Sequence, residues 1–180
     1  MRDPSDIVMA ISHDSSSFLG LIKVIVVQGK QLAVRDFRSS DPYVVVKLDN
    51  QTAKTRVINN CLNPVWNEEI TLSVTEPVGV LNLSVFDKDR FKADDKMGLA
   101  QLSLQPIASA ARLRRFVQSS AGETRIRTVV PGRDNCLVKD SCICCVDGEI
   151  VQSVWLRLNE VETGEIELKL KWINVDQPAT

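Results

Sequence analysis

The sequence predicts an all-β protein, an eight-stranded antiparallel sandwich interrupted once by a helix-bearing insertion at about 105–148. Short apolar or alternating runs recur along the chain, separated by Pro, Gly, Asn and Asp turn signals. Such spacing marks a sandwich rather than alternating strand and helix units. Residues 165–172, Glu-Ile-Glu-Leu-Lys-Leu-Lys-Trp, alternate strictly, the pattern of a strand with one face in a core. Around Ile107, Ala110, Leu113 and Phe116/Val117 the apolar residues instead recur every three to four positions, as on a helix.

In chain order, residues 1–17 are polar and serine-rich around a short apolar patch and read as an N-terminal arm. Residues 18–174 read as a single domain. Its first strand, 18–28, is β-branched and apolar on both faces, hence central. The Asp41-Pro42 turn launches a strand over 43–48. Residues 52–58 and 66–74 alternate on either side of an Asn-rich loop ending at Pro64. Pro77 and Gly79 turn the chain into 81–86, and 99–104 follows as its neighbour. Pro106 suits a helix start, and a helix of about 12 residues fits the apolar stripe, with Arg112, Arg114 and Arg115 off it. Residues 123–130 read as a short extra strand ended by Pro131-Gly132. The insertion is too long for a simple connection, so it is either functional or a separate small lobe. Strands at 154–158 and 165–172 close the domain, with Trp66, Trp155 and Trp172 as core candidates.

The 180 residues carry a net charge of −1, with 44% hydrophobic and 25% charged residues. This is ordinary for a globular domain and leaves no bulk basicity for general nucleic-acid binding. No apolar run approaches the length of a membrane span. The patch at 7–11 is too short for a signal-peptide core, Arg2 excludes N-myristoylation, and the C-terminus has no prenylation box. A cytosolic protein that meets membranes reversibly is expected. Five cysteines, an odd number with no secretion signal, favour free thiols. Cys136, Cys142, Cys144 and Cys145 cluster without C-x2-C spacing, and His13 is the only histidine, a poor set for zinc.

Functional chemistry gathers in two acidic loops. Between the strands at 81–86 and 99–104 lie Asp87, Asp89, Asp94 and Asp95, four aspartates in nine residues. At about 4 Å two unit charges repel by roughly 4 kcal/mol at an effective dielectric of 20. A hard divalent cation relieves that repulsion, and calcium takes six to eight oxygens from carboxylate-rich loops. The loop after the first strand contributes Asp36 and Asp41 around a Phe37-Arg38 tip. If the two loops meet at one end of the sandwich, Asp36, Asp41, Asp87, Asp89 and Asp95 converge on one cup.

These stretches resemble the C2 domain family of calcium-dependent phospholipid-binding sandwiches. The resemblance rests on 32–36, Ser40-Asp41-Pro42-Tyr43-Val44, Asn63-Pro64-Val65-Trp66-Asn67-Glu68, Phe86-Asp87-Lys88-Asp89 and Asp95-Lys96-Met97-Gly98. It implies that the five aspartates Asp36, Asp41, Asp87, Asp89 and Asp95 bind calcium, with the backbone carbonyls of Arg35 and Lys88 completing the shell. One strand precedes the first acidic loop and one follows the insertion, so the order resembles the permuted, type II-like form of the domain. The length and the 105–148 segment resemble the plant C2-domain abscisic-acid-related, or GTPase-activating-protein-like, small C2 proteins. That implies a plant adaptor in cytoplasm and nucleus that calcium brings to the plasma membrane, with abscisic acid receptors as partners. The alternative it implies is a regulator of a GTPase. Calcium- or membrane-dependent self-association would also suit such an adaptor.

Both loop tips carry an aromatic ring beside cations: Phe37 with Arg38, and Phe91 between Arg90 and Lys92. An apolar wedge flanked by basic residues suits the boundary between lipid headgroups and acyl chains. Tyr43, Lys54 and Arg56 match positions of the family's anionic-lipid (phosphoinositide) groove. That groove is partial, because Val45 stands where a lysine is usual and Phe86 where a tryptophan is usual. Enzyme readings fail on the residues. Asp87-Lys88-Asp89 mimics an aspartate-nucleophile phosphatase, but Phe91 occupies the position that needs a small residue. No catalytic triad, P-loop or dinucleotide signature is present. An EF-hand is excluded because Lys92 and Gly98 occupy its turn glycine and bidentate glutamate positions.

Overall fold

The computed structural model describes residues 17–35, 38–113 and 122–175. Ten strands and one helix follow in the order β1 (Phe18–Lys30), β2 (Pro42–Leu48), β3 (Gln51–Lys54), β4 (Val65–Thr75), β5 (Val80–Asp87), β6 (Asp95–Ser103), α1 (Gln105–Leu113), β7 (Glu123–Val129), β8 (Ser141–Val146), β9 (Glu149–Arg157) and β10 (Glu165–Ile173). They form a six-stranded sheet, β4-β1-β10-β9-β8-β7, and a four-stranded sheet, β3-β2-β5-β6. Every pairing is antiparallel, and the last strand lies between β1 and β9. The permuted sandwich stands; the strand number is ten among the described residues.

Alternation explains the core. Ile22, Val24 and Val26 of β1, Ile166, Leu168, Leu170 and Trp172 of β10, and Trp66, Ile70, Leu72 and Val74 of β4 are buried. Val44 and Val46 of β2 and Leu81, Leu83 and Val85 of β5 close over them from the second sheet. Trp155 is a correction. It is one residue out of phase with the buried Val154 and Leu156, so it faces outward, where the Lys139 ammonium sits 5.4 Å from its ring. The strand read over 52–58 is short, β3 ending at Lys54.

The insertion is not a separate lobe. β7 and β8 continue the six-stranded sheet beyond β9, so that sheet is two strands wider than its partner. α1 packs against β7 to β10, and Ile107, Ala108, Ala110 and Ala111 join the same core as Ile143 and Cys145 of β8. The helix thus covers the added width, which otherwise would present apolar side chains to water. Leu113, expected on the apolar stripe, is 54% exposed, while Ala108 and Ala111 are buried in its stead. Arg114, Arg115, Phe116 and Val117 lie outside the described residues, as does the arm at 1–16.

Candidate functional site: two acidic loops at one end of the sandwich

Strand pairing brings the two acidic loops together. Pro42 lies opposite Asp87 in the β2–β5 ladder, and Asp87 lies opposite Asp95 in the β5–β6 ladder. A β-bulge sets the second pairing. Val85 pairs with Gly98 but Phe86 with Lys96, leaving Met97 as the extra residue. Without it Lys96, not Asp95, would face Asp87. Gly98 holds φ at +120°, a conformation in which a side chain is strained.

Hydrogen bonds lock the loops to each other. The Asp41 N–H donates to Asp87 Oδ1 at 2.5 Å, and the Lys88 N–H donates to the Asp41 carbonyl at 3.0 Å. Asp87 is buried, 1% exposed, although it carries a carboxylate. Asp41 Oδ1 in turn accepts the Asn60 N–H at 2.7 Å. Within the first loop, the buried Ser40 hydroxyl accepts the Arg35 N–H at 2.9 Å and lies 3.1 Å from the Ala33 carbonyl. The Arg35 guanidinium grips Glu162 at 2.8 and 3.1 Å and donates from Nε to the Lys96 carbonyl, tying in the β9–β10 loop. Its hydrogen bond to Glu162 raises the Arg35 pKa and pushes Glu162 down to about 2. The family resemblance assigns Arg35 a role through its carbonyl; its side chain acts besides as a clamp.

Asp94 is not among the expected ligands, and its role is structural. It accepts the Tyr43 hydroxyl at 2.6 Å, the Asp89 N–H at 3.0 Å and the Lys88 ammonium at 3.1 Å. The Tyr43 hydrogen bond first, then the Asp89 amide, holds its carboxyl at about 2. Burial, then Asp94, pushes the Tyr43 phenol up to about 12. The Tyr43 ring also stacks on Phe86, centroids 5.7 Å apart.

Lys92 departs from the expected membrane-facing position. Its ammonium lies 2.6 Å from Asp95 Oδ2 and 3.5 Å from Asp89 Oδ2, so it turns back among the acidic residues. Phe91 beside it is 99% exposed. Arg90 and Arg38 are exposed as expected; Asp36 and Phe37 lie outside the described residues. Among the described residues, no three carboxylate, imidazole or thiol side chains stand close enough together to hold a metal. The donors present nonetheless fit a hard cation by their chemistry. They are all oxygens, and Asp89 Oδ2 is buried with no hydrogen-bond partner, the Lys92 ammonium lying 3.5 Å away.

The expected lipid groove is weakened. Tyr43 spends its hydroxyl on Asp94, and Arg56, beyond the end of β3, lies 3.5 Å from Glu68 and donates to the Val65 carbonyl. Lys54, opposite Val45, is exposed. Arg112, off the apolar stripe of α1, pairs with Glu76. The five cysteines stand as free thiols, with Cys136 accepting from Asn159 Nδ2 at 3.2 Å.

Residues 20–119 match the C2 domain family. The chain belongs to the C2 family. It is 64% identical over 162 residues, 90% of this chain and 96% of the relative, to Protein C2-DOMAIN ABA-RELATED 11 of Arabidopsis thaliana. It is 47% identical to GTPase activating protein 1 of Oryza sativa subsp. indica, covering 87% of this chain and 93% of that protein. Among solved structures, a C2 domain of plant Extended Synaptotagmin 1 superposes with a TM-score of 0.60. That pair is 23% identical over 89% of this chain and 98% of that one, a likeness of fold alone. Membership supports a membrane-binding function in the broad sense. The C2 protein has no described helix long and apolar enough to cross a membrane.

Proposed function

We propose that this C2 protein is a calcium-dependent adaptor at anionic phospholipid membranes, without catalytic activity of its own. In this reading it brings an abscisic acid receptor to the plasma membrane. One observation carries it: the bulged β5–β6 ladder sets Asp87 opposite Asp95, while Phe91 on the connecting loop is 99% exposed. Asp36, Asp41, Asp87, Asp89 and Asp95, with the Arg35 and Lys88 carbonyls, hold the calcium. Bound calcium supplies positive charge that turns a cup repelling anionic lipid into one attracting it. Phe91 and Phe37 then enter the headgroup region, with Arg38 and Arg90 against the phosphates.

The partner surface is the outer edge of the wider sheet. β7 is its edge strand, and it exposes Arg125 and Arg127 among polar neighbours. An unpaired edge is a ready template for strand addition. The second reading, regulation of a GTPase, is favoured by the name of the rice relative and would use the same arginines.

Co-sedimentation with phosphatidylserine vesicles, with and without calcium and a receptor or GTPase, tests both parts. Asp87→Asn with Asp89→Asn keeps an acceptor for the Asp41 N–H and removes two charges, so calcium-dependent sedimentation is lost while the fold survives. Arg125→Glu with Arg127→Glu leaves sedimentation intact and lowers partner recruitment. Calorimetry that finds no calcium binding by the wild type, with or without lipid, sinks the proposal. Deleting 105–148 would not be a clean test, because that segment supplies two strands and part of the core.

A further inference from the structure

The outer edge of β7 has a backbone direction and a charge that its place in the wider sheet leaves unused. The Gly122 carbonyl accepts the Asp147 N–H at 3.2 Å, a hydrogen-bonded pair where β7 begins. Such pairs alternate along an antiparallel ladder, and Thr124 opposite Cys145 is the next. Glu123 and Arg125, on either side of Thr124, therefore turn their backbone N–H and C=O groups away from β8. They face the side of β7 on which no described strand lies.

Charge decides what such an edge can take. Arg125 lies opposite Cys144 and Arg127 opposite Ile143, with a bulge between them at Ile126, which packs against the core. Adjacent residues of a strand point to opposite faces, so the two arginines bracket the edge from both faces of the sheet. Both are exposed, and neither forms an ion pair with a described residue, whereas Arg112 pairs with Glu76 and Arg56 with Glu68. Glu123, the acid on this strand, lies within hydrogen-bonding reach of the Cys144 thiol. Charged residues commonly shield an edge from unwanted pairing, and these oppose a second copy of β7 in particular. Antiparallel pairing of two copies with full overlap, centred on Ile126, sets the Arg125 of each opposite the Arg127 of the other, and like charges directly opposite are destabilising. A carboxylate in the same place matches the planar guanidinium fork instead.

We propose that β7 accepts an acidic, extended segment of a partner protein as an added strand, with backbone hydrogen bonds to Glu123 and Arg125 and carboxylates against Arg125 and Arg127. The proposal rests on the reading of this edge as the partner surface, and it names the chemistry of what docks there. In strand addition the main-chain bonds supply affinity and the side chains supply selection. Neither calcium nor lipid takes part, because Asp87 and Asp95 lie on β5 and β6 of the other sheet.

The test is NMR titration of the full chain, without calcium or lipid, with three capped peptides of about eight residues. One alternates threonine and glutamate, one alternates threonine and lysine, and the third is the glutamate peptide N-methylated at every residue. The glutamate peptide should bind about tenfold more tightly than the lysine peptide. It should slow hydrogen exchange at the Glu123 and Arg125 amides, while Thr124, already bonded to β8, changes little. The N-methylated peptide keeps the charge and loses every donor, so it should give no such protection. Arg125→Glu with Arg127→Glu should reverse the preference toward the lysine peptide. Absence of binding by the glutamate peptide at millimolar concentration overturns the proposal, as does equal binding of the lysine or the N-methylated peptide. Protection of both amides that rises with protein concentration alone assigns the edge to a second copy and overturns it too. Calcium-dependent vesicle binding is measured apart from the peptides, so a failure of the membrane reading and a failure of this one are told apart.

Discussion

Under the proposed function, replacing Phe91 by Ser separates membrane insertion from calcium binding. The ring is 99% exposed, so it contributes nothing to the core, and its loss should leave thermal stability within experimental error. The same exposure means that the whole transfer free energy of the ring is available to a lipid surface. Burying a phenylalanine side chain is worth about 1.5–3 kcal/mol. At about 1.4 kcal/mol per decade, Phe91→Ser should weaken binding to phosphatidylserine vesicles by about ten- to hundredfold at saturating calcium. Phe91→Trp should retain or improve it, because indole favours the interface. The assay is vesicle titration read by tryptophan-independent co-sedimentation, paired with calorimetric calcium affinity in the absence of lipid. Calcium affinity should hold, since Phe91 supplies no acceptor. Equal losses in calcium and lipid affinity would show that the substitution damages the loop. A loss below about twofold would show that the tip does not enter the lipid.

Two further outcomes follow from the surroundings of the site and the insertion. At Gly98→Ala the added Cβ would lie 2.7 Å from Val161 Cγ1 and 2.9 Å from Leu158 Cβ, at a φ of +120°. It should cost about 2 kcal/mol or more in denaturant unfolding and, by shifting the bulge that aligns Asp95, weaken calcium binding too. Burial first, then the neighbouring Glu123, pushes the Cys144 thiol up to about 11. At pH 8 only about one part in a thousand is then thiolate, so alkylation followed by mass spectrometry should modify Cys61 well before Cys144.

The sandwich was legible because alternation with period two is a direct consequence of burying one sheet face, and most strands here do so. β8 escaped because Ser-Cys-Ile-Cys-Cys-Val reads as a cysteine cluster, although cysteine in a core strand behaves as a small hydrophobe. Once β8 is counted, the helix follows: a sheet two strands wider than its partner needs a cover. Trp155 could have been placed from the sequence, since Val154 and Leu156 beside it fix the parity of the strand. The acidic positions were legible as a cluster and the family resemblance left Asp94 out of the ligand set, but the contacts through which Asp94 braces the loop were not legible. Asp94 and Asp95 are adjacent, and adjacent residues entering a strand face opposite ways, so only one can share a side with Asp87. Pairing in the β5–β6 ladder selects Asp95. The clamp of Arg35 on Glu162 spans 127 positions of sequence and left no local signal.

The division between Asp94 and its neighbours bears on how the loop can respond to a cation without refolding. Asp94 engages a hydroxyl, a backbone N–H and the Lys88 ammonium at once, so it braces the loop without drawing on Asp89 or Asp95. Asp89 and Asp95 instead share one mobile partner. Lys92 carries its charge on a flexible stem, and its side chain is 59% exposed even while paired. Under the proposed function, a divalent ion offers those carboxylates more charge at a comparable distance than one ammonium can. Lys92 is then released beside Phe91, where the sequence placed it, facing the lipid phosphates. In that reading the same side chain would hold the acidic residues quiet without calcium and add to membrane affinity with it. The backbone locked by Asp94, Asp41 and Arg35 need not move.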